Sequence, residues 1–471
     1  MDLQWLLDYL LREGAGYAEV RSQRNVGMEV VLKNGVAEPP EYVEANGIAV
    51  RAIVDGALGF ASTNILTREG MMEAGSKAVK SAKAMTSSCK KVCLSNEIAV
   101  KAEWKADYRT LPTSVEPSEV IDLLKSVDAS IKEVKGAEFP NRLLVFGGSV
   151  EEKEYINSEG TKTRSMVPRI AGYFIITAYE GGKGSLQRIV QLGESGGWER
   201  AGAISPEVVA REEAEAMARM LREGKALAPG KYDVVVGGEV TGIISHEACG
   251  HPQEADRIMG REAAQAGESY LKPGMLGRKI GSDAVNISDD PTLPASYGFY
   301  LYDDEGVPAR RKALIREGKV NEFLHSRETA HDYGVSSNAS MRASSYAREP
   351  IVRMSNTFME PGDHKLEELV EGVERGVYIK SFQEWNIDDI RWNNRYVGLE
   401  AYMIDKGEVR DPVRAPVIEA TTEVIFSSVD AVGRDLIFKA ATCGKGQPEQ
   451  GVPVWTGGPS MRLRGIYLRG R

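Results

Sequence analysis

Four cysteines and five histidines are all that 471 residues carry. Cys89, Cys93, Cys249 and Cys443 are too few and too scattered for a disulfide framework, which excludes the small stapled extracellular folds. No run of eighteen apolar residues occurs, so no membrane-spanning helix is predicted. No Lys/Arg block occurs either, and the net charge is −9. An acidic chain of this kind is a poor partner for nucleic acid. The first twelve residues have an early acid, a helical period and no basic start, unlike a secretory leader. A cytoplasmic protein with neither nucleic acid nor membrane as partner is expected.

What is present is ordinary for a globular chain: 42% hydrophobic and 27% charged residues. The length allows two or three domains with sizeable cores. The 49 glycines lie between apolar runs and point to turns and hairpins. An amphipathic helix is predicted over 3–12, stopped by Gly14. Short strands follow at 17–21, 27–33 and 47–54, with Asn34-Gly35 and Asp55-Gly56 as hairpin turns. Thr67 suits the N-cap of a helix over 68–85, and Pro117-Ser118 opens another to about 134. Strands return from 143 to 192. Ser205-Pro206 starts a helix to about 223, with the serine as cap. Ala228-Pro229-Gly230 breaks the pattern, so an N-terminal domain, 1–228, and a C-terminal domain, 229–471, are expected.

In the second half, residues 232–236 read as a buried strand and a helix follows from about Glu239. Residues 252–283 read as a long loop or lid, and one helix is expected near 365–375. Residues 412–416 and 444–459 look turn-rich. The basic end, Arg462, Arg464, Arg469 and Arg471, reads as a last strand with a frayed end. No repeat of 20–50 residues is evident. Grouped helices and grouped strands argue for an α+β fold of two lobes. The first is an α/β sandwich-like lobe, and the second is mostly antiparallel β and carries a metal site.

The chemistry concentrates in His246-Glu247-Ala248-Cys249-Gly250-His251. Two imidazoles can hold zinc while a carboxylate moves a proton for water. The histidines stand one residue further apart than in the familiar H-E-x-x-H motif. Five steps of an α-helix separate them by about 140°, whereas four steps leave about 40°. To meet one ion, the helix must end, kink or carry a π-type bulge between them. Gly250 is where that change is cheapest, and Pro252 stops the ladder. A third ligand is needed, and Cys249, Cys443, Glu254 and Asp256 are candidates. Glu254 and Asp256 can equally act from behind, orienting a ligand. Cys89 and Cys93 have no histidine neighbours in sequence and read as structural.

This run, with Glu254 and Asp256, resembles the signature of the TldD/PmbA family of metalloproteases. Residues 302–308 (YDDEGVP), 353–357 (RMSNT), 441–445 (ATCGK), 47–64 and 17–21 are similar in style and order. PmbA-type members typically lack the histidine run, so the chain resembles the TldD type. The resemblance implies one zinc per active subunit, with His246, His251 and Cys443 as ligands and Glu247 as general base. It favours Cys443 over Cys249. It also implies a PmbA-like partner subunit or a homodimer enclosing the site, and unfolded or short peptides as substrate. Pro252-Gln253 departs from the glycine–hydrophobic pair of the family.

The activity so implied is zinc-dependent peptide hydrolysis, with the peptide held by strand addition to a sheet edge. A deformylase-like amide hydrolase and a non-catalytic structural subunit are the alternatives. Asp303, Asp304, Glu305 and Asn356 are candidates for substrate binding. His325 and His331 are candidate pocket residues, and His364 reads as bland.

Overall fold

The computed structural model describes residues 3–262 and 267–471. The N-terminal half is organised by one eight-stranded sheet. Its path runs Ala57–Thr63, Glu41–Val54, Tyr17–Lys33, Glu138–Asn157, Lys162–Glu180 and Lys101–Lys105. Strand Gly184–Ser195 pairs beside Lys162–Glu180. All pairings are antiparallel except that of Lys101–Lys105. Asn34 and Gly35, and Asp55 and Gly56, all take positive φ, as a two-residue hairpin turn of matching twist requires.

The two strands expected at 17–21 and 27–33 are one, Tyr17–Lys33. The polar residues between them pair on both sides without a break, because Gln23 turns inward among buried groups. Helices Gln4–Arg12 and Arg68–Met85 cover one end of the sheet, packing Leu6, Leu10 and Ala78 on Val20 and Val50. Helices Pro117–Lys132 and Pro206–Glu223 cover the other, with Leu124 and Met217 against Leu144 and Phe174. Thr67 caps its helix through Gly70 N–H at 3.1 Å. Ser205 does not cap: it sits at φ 51 as a left-handed link after helix Glu199–Ile204, and its hydroxyl donates to Gly202 O.

The opposite face of the first sheet is buried too, and it is charged. Glu19, Arg21, Gln23 and Arg51 all have less than 5% of their surface exposed. Arg21 and Arg51 also find partners in the second half. Arg51 reaches Glu19 at 2.9 Å and Glu305 at 3.2 Å, and Arg21 lies 3.3 Å from Asp304. Removing one member of such a buried set strands the other as an uncompensated charge, at about 3–5 kcal/mol.

The second half builds a ten-stranded and a six-stranded sheet around one core. Val234, Ile244, Ala248, Ile287, Phe426, Val454 and Leu463 meet there. The turn-rich reading of 412–416 and 444–459 holds at residues 446–449 and otherwise gives way to strands Glu408–Arg414, Pro416–Thr421 and Gln450–Gly458. Pro453 is tolerated because its strand is paired there on one side only; the second neighbour joins at Trp455–Gly457. The last strand, Met461–Gly470, stays paired to Gly470 and does not fray. The later helix is shorter than expected, Leu366–Glu371. Among the described residues of 252–283 the regular pieces are His251–Gln253 and Ala255–Ile258; residues 263–266 of that expected loop lie outside the described residues. No helix among the described residues is long and apolar enough to cross a membrane.

Helix Gly238–Ile244 leads into the histidine run and lies directly on strand Gln450–Gly458. The approach needs glycine on both sides. A Cβ on Gly242 would come within 3.0 Å of Gly457 N, and one on Gly238 would overlap the carbonyl oxygen of Gly458. Gly238→Ala therefore trades a helix-propensity gain of at most about 1 kcal/mol against an overpacking cost of about 1–3 kcal/mol. We expect a lower thermal unfolding midpoint. An unchanged or raised midpoint contradicts the close seating of this helix.

Candidate metal centre

The helix does not stop at the histidine run. It widens: Ser245–Gly250 forms a π-helical turn, followed by a tight 3₁₀ turn at His251–Gln253. An i→i+5 turn brings residues five apart to one face, which the α-helix does not. The rings of His246 and His251 lie 4.8 Å apart, edge to face. Gly250 takes helical angles, φ −59 and ψ −58, so the break expected at its dihedrals is not there. Its role is spatial, since a Cβ would collide with Met354 Sδ.

Cys443 arrives from strand Ile437–Lys445, an edge of the six-stranded sheet. Its Sγ is 3.3 Å from His251 Nε2, and one donor atom each from His246, His251 and Cys443 lie within 4.8 Å of one another. All three are buried. Burial raises the thiol's pKa, yet His251, Arg353 and His246 outweigh it and hold the thiol well below its ordinary value. Burial likewise disfavours charged His246, but Cys443 and nearby carboxylates raise it above its usual value. His246 Nδ1 has no hydrogen-bond partner among the described residues. Two imidazoles, a favoured thiolate and an orphaned buried nitrogen fit a zinc-type ion.

Glu254 stands behind His251, accepting at 3.1 Å from its Nδ1 side, and is itself held by Arg257 Nε at 2.6 Å and Lys445 Nζ at 3.2 Å. Burial would raise its pKa, but Lys445, His251 and Arg257 take it well below the usual range. A carboxylate behind a histidine fixes the ring's orientation and tautomer. Asp256 accepts from Lys445 at 2.7 and 2.8 Å. Lys445 and Cys443 are two apart on a strand and project to one face. That spacing was the available sequence signal for Lys445, and the reading missed it.

Glu247 has two partners that sequence reasoning also missed. Trp385 Nε1 donates to its Oε1 at 3.2 Å, and Arg391 binds its Oε2. Burial raises the carboxyl's pKa, but Arg391 and the two histidines more than offset it and keep it below the ordinary range. Arg391 holds φ 64, a left-handed conformation costing roughly 1–2 kcal/mol outside glycine. No local pattern marks it, because a loop places it.

A cavity of about 290 Å³ opens over these groups and is walled by Phe382, Trp385 and Gln191. Gln191 Oε1 accepts Thr442 N–H at 2.9 Å, on the edge strand itself. Cys249 lies outside the cluster, fully buried, with Gln253 Nε2 3.3 Å from its sulfur and a pKa raised by burial. Asp303, Asp304, Glu305 and Asn356 do not line this cavity. Asp303 accepts three backbone N–H groups, Asp304 meets Arg21 and Lys153, and Glu305 accepts Arg327 N–H at 2.7 Å. Asn356 spends its amide on Asp290 O, Ser296 Oγ, Gly298 N and Trp455 N. All four are engaged by groups of the protein itself. His325 is buried among Phe323 and Tyr333, and burial pushes it down to about 4; His331 and His364 are exposed. Cys89 and Cys93 are free thiols outside any regular element.

Sequence models of three successive domains match this chain. They are PmbA/TldA metallopeptidase domain 1 over residues 18–85, the central domain over 110–221 and the C-terminal domain over 229–470. The chain belongs to the PmbA/TldA metallopeptidase family. A metalloprotease of Methanocaldococcus jannaschii is 31% identical over 464 residues, covering 96% of this chain and 97% of that protein. A zinc metalloprotease TldD homolog of Saccharolobus solfataricus is 32% identical over 259 residues, 54% of this chain and 55% of that protein. TldE from Thermococcus kodakarensis shares the fold, with a TM-score of 0.75 at 17% identity over 99% of this chain and 100% of that one. Within this PmbA/TldA member, metal content separates the two buried thiols. Cys443→Ala is expected to lower bound metal from about one ion per chain to under a tenth, and Cys249→Ala to leave it unchanged. Elemental analysis of both purified variants reads the result, and the reverse pattern overturns the grouping.

Proposed function

We propose that this chain is a TldD-type zinc peptidase in which His246, His251 and Cys443 hold the ion and Glu247 is the general base. The observation that carries the reading is the buried His246–His251–Cys443 cluster with Glu247 beside it, on the wall of one cavity. Zinc, when bound, supplies Lewis-acid polarisation of a carbonyl and acidifies water. The remaining work belongs to the chain. Arg391 keeps the Glu247 carboxylate ionised and Trp385 fixes its direction, so it stands ready to accept a proton from attacking water. It returns that proton to the leaving amine. Glu254 and Asp256 hold His251 and Lys445 from behind.

An extended peptide suits the cavity because Cys443 sits on a sheet edge, where backbone N–H and C=O groups read a strand without regard to side chains. A space of about 290 Å³ reaching along that edge favours a peptide over a formyl group. A TldE- or PmbA-like subunit, or a second copy, closes the cleft. Ile189 supports this: it lines the cavity and still keeps 54% of its surface exposed, with Tyr173 exposed on the neighbouring strand. We place the division between the two domains near residue 228. The protein is assigned to the cytoplasm, consistent with its free thiols.

Glu247→Gln is expected to retain its zinc and lose cleavage of an unstructured peptide by about 10²-fold or more. A parallel assay on formyl-methionyl substrates is expected to show no turnover by the wild type. Peptide cleavage surviving in Glu247→Gln removes the base assignment, and preferred deformylation removes the peptidase.

A further inference from the structure

A second cavity, of about 70 Å³, lies between the charged face of the first sheet and the second half. It shares no lining residue with the metal cavity. The hairpin carrying Cys443 separates the two. Thr442 and Cys443 line the metal side, and their cross-strand partners Pro453 and Val452 line the second cavity.

Four cations line this space: Arg21, Lys153, Arg169 and Arg342. The carboxylates on its wall are Glu151, Asp303 and Asp304. Glu151 serves Arg169 at 3.3 Å and Lys153 at 3.5 Å, and Asp304 serves Lys153 at 3.1 Å. Asp303 faces backbone N–H groups and Glu305; burial and that neighbour push its carboxyl well up, towards the neutral form. Among the described residues, Arg342 donates to the neutral carbonyls of Met354 and Pro453 and to no carboxylate. Arg21 Nη2 donates to Ser345 O and Arg348 O, while its Nε and Nη1 make no hydrogen bond among the described residues. Nη1 pairs with Asp304 Oδ2 at 3.3 Å, a carboxylate it shares with Lys153. Only 3% of Arg21 is exposed, so bulk water does not compensate these donors. The four cations of the wall outnumber its three carboxylates, and buried charge that is incompletely paired is costly. Ser165 and Thr163 add hydroxyls to the same wall.

We propose that this cavity binds a small oxyanion, of the size of inorganic phosphate or a carboxylate group. Guanidinium groups recognise such oxygens through paired charge-assisted hydrogen bonds. The site is distinct from the metal centre and does not depend on the peptidase reading.

Calorimetric titration of the metal-loaded full-length protein with phosphate, and separately with acetate, in an oxyanion-free chloride buffer tests it. At least one anion is expected to saturate one site per chain with a Kd of about 1 mM or tighter. Stripping the metal with a chelator should leave that binding in place. Arg21→Met removes the orphaned donors, and Ser165→Leu fills the space while keeping every charge. Each should weaken binding about tenfold or more, and Ser165→Leu carries the test if Arg21→Met fails to fold. The proposal is overturned if neither anion saturates a site, if binding vanishes with the metal, or if a folded Ser165→Leu binds as well as the wild type.

Discussion

Two imidazoles five residues apart must meet at one point, and a regular α-helix holds them about 140° apart. The widened turn at Ser245–Gly250 resolves that conflict, and much of the second half is arranged to hold it. A π turn is rare and has no strong local preference, so packing must enforce it. The helix before it is seated on the glycines of strand Gln450–Gly458, Gly250 is pressed against Met354, and Ile244, Ala248 and Cys249 are fully buried. The partner strand of the same hairpin presents Cys443 to the histidines. Position along one hairpin thus sets both the shape of the turn and the third donor.

Charge buried between the halves is the second constraint. The first sheet offers Glu19, Arg21 and Arg51 where an ordinary core would offer aliphatic side chains. Residues 303–305 answer them, tied by backbone N–H groups as well as by ion pairs. Such pairs add little net stability over an apolar packing, but they penalise misalignment heavily. They fix the register of one half on the other. That register matters for chemistry, because Gln191 of the first sheet reaches the backbone of the edge strand beside Cys443.

Local signals were legible in the sequence where local physics decides the outcome. The turns at Asn34-Gly35 and Asp55-Gly56, the Thr67 cap and the need for the helix to end, kink or bulge between His246 and His251 follow from dihedral preference and helix geometry. Residue chemistry made Cys443 one of four candidate third ligands, and only family likeness favoured it, since no periodicity joins residues 192 positions apart. Arg391 and Trp385 were not legible as site neighbours, because a loop and a strand bring them in from afar. The acidic run at 303–305 was a candidate for substrate binding. An exposed acidic turn and a buried one look alike until their cationic partners, here Arg21, Arg51 and Lys153, are placed. Gly250 misled in another way: glycine signals either unusual dihedrals or close approach, and here close approach decides.

The central claim is a metal held by two histidines of one widened turn and one thiolate from the edge strand. X-ray absorption at the zinc edge of the loaded full-length protein tests it most directly. The account predicts one sulfur at about 2.3 Å and two imidazole nitrogens at about 2.0–2.1 Å, with the sulfur absent in Cys443→Ala. Two sulfurs around the ion, or one sulfur that persists in Cys443→Ala, would contradict it.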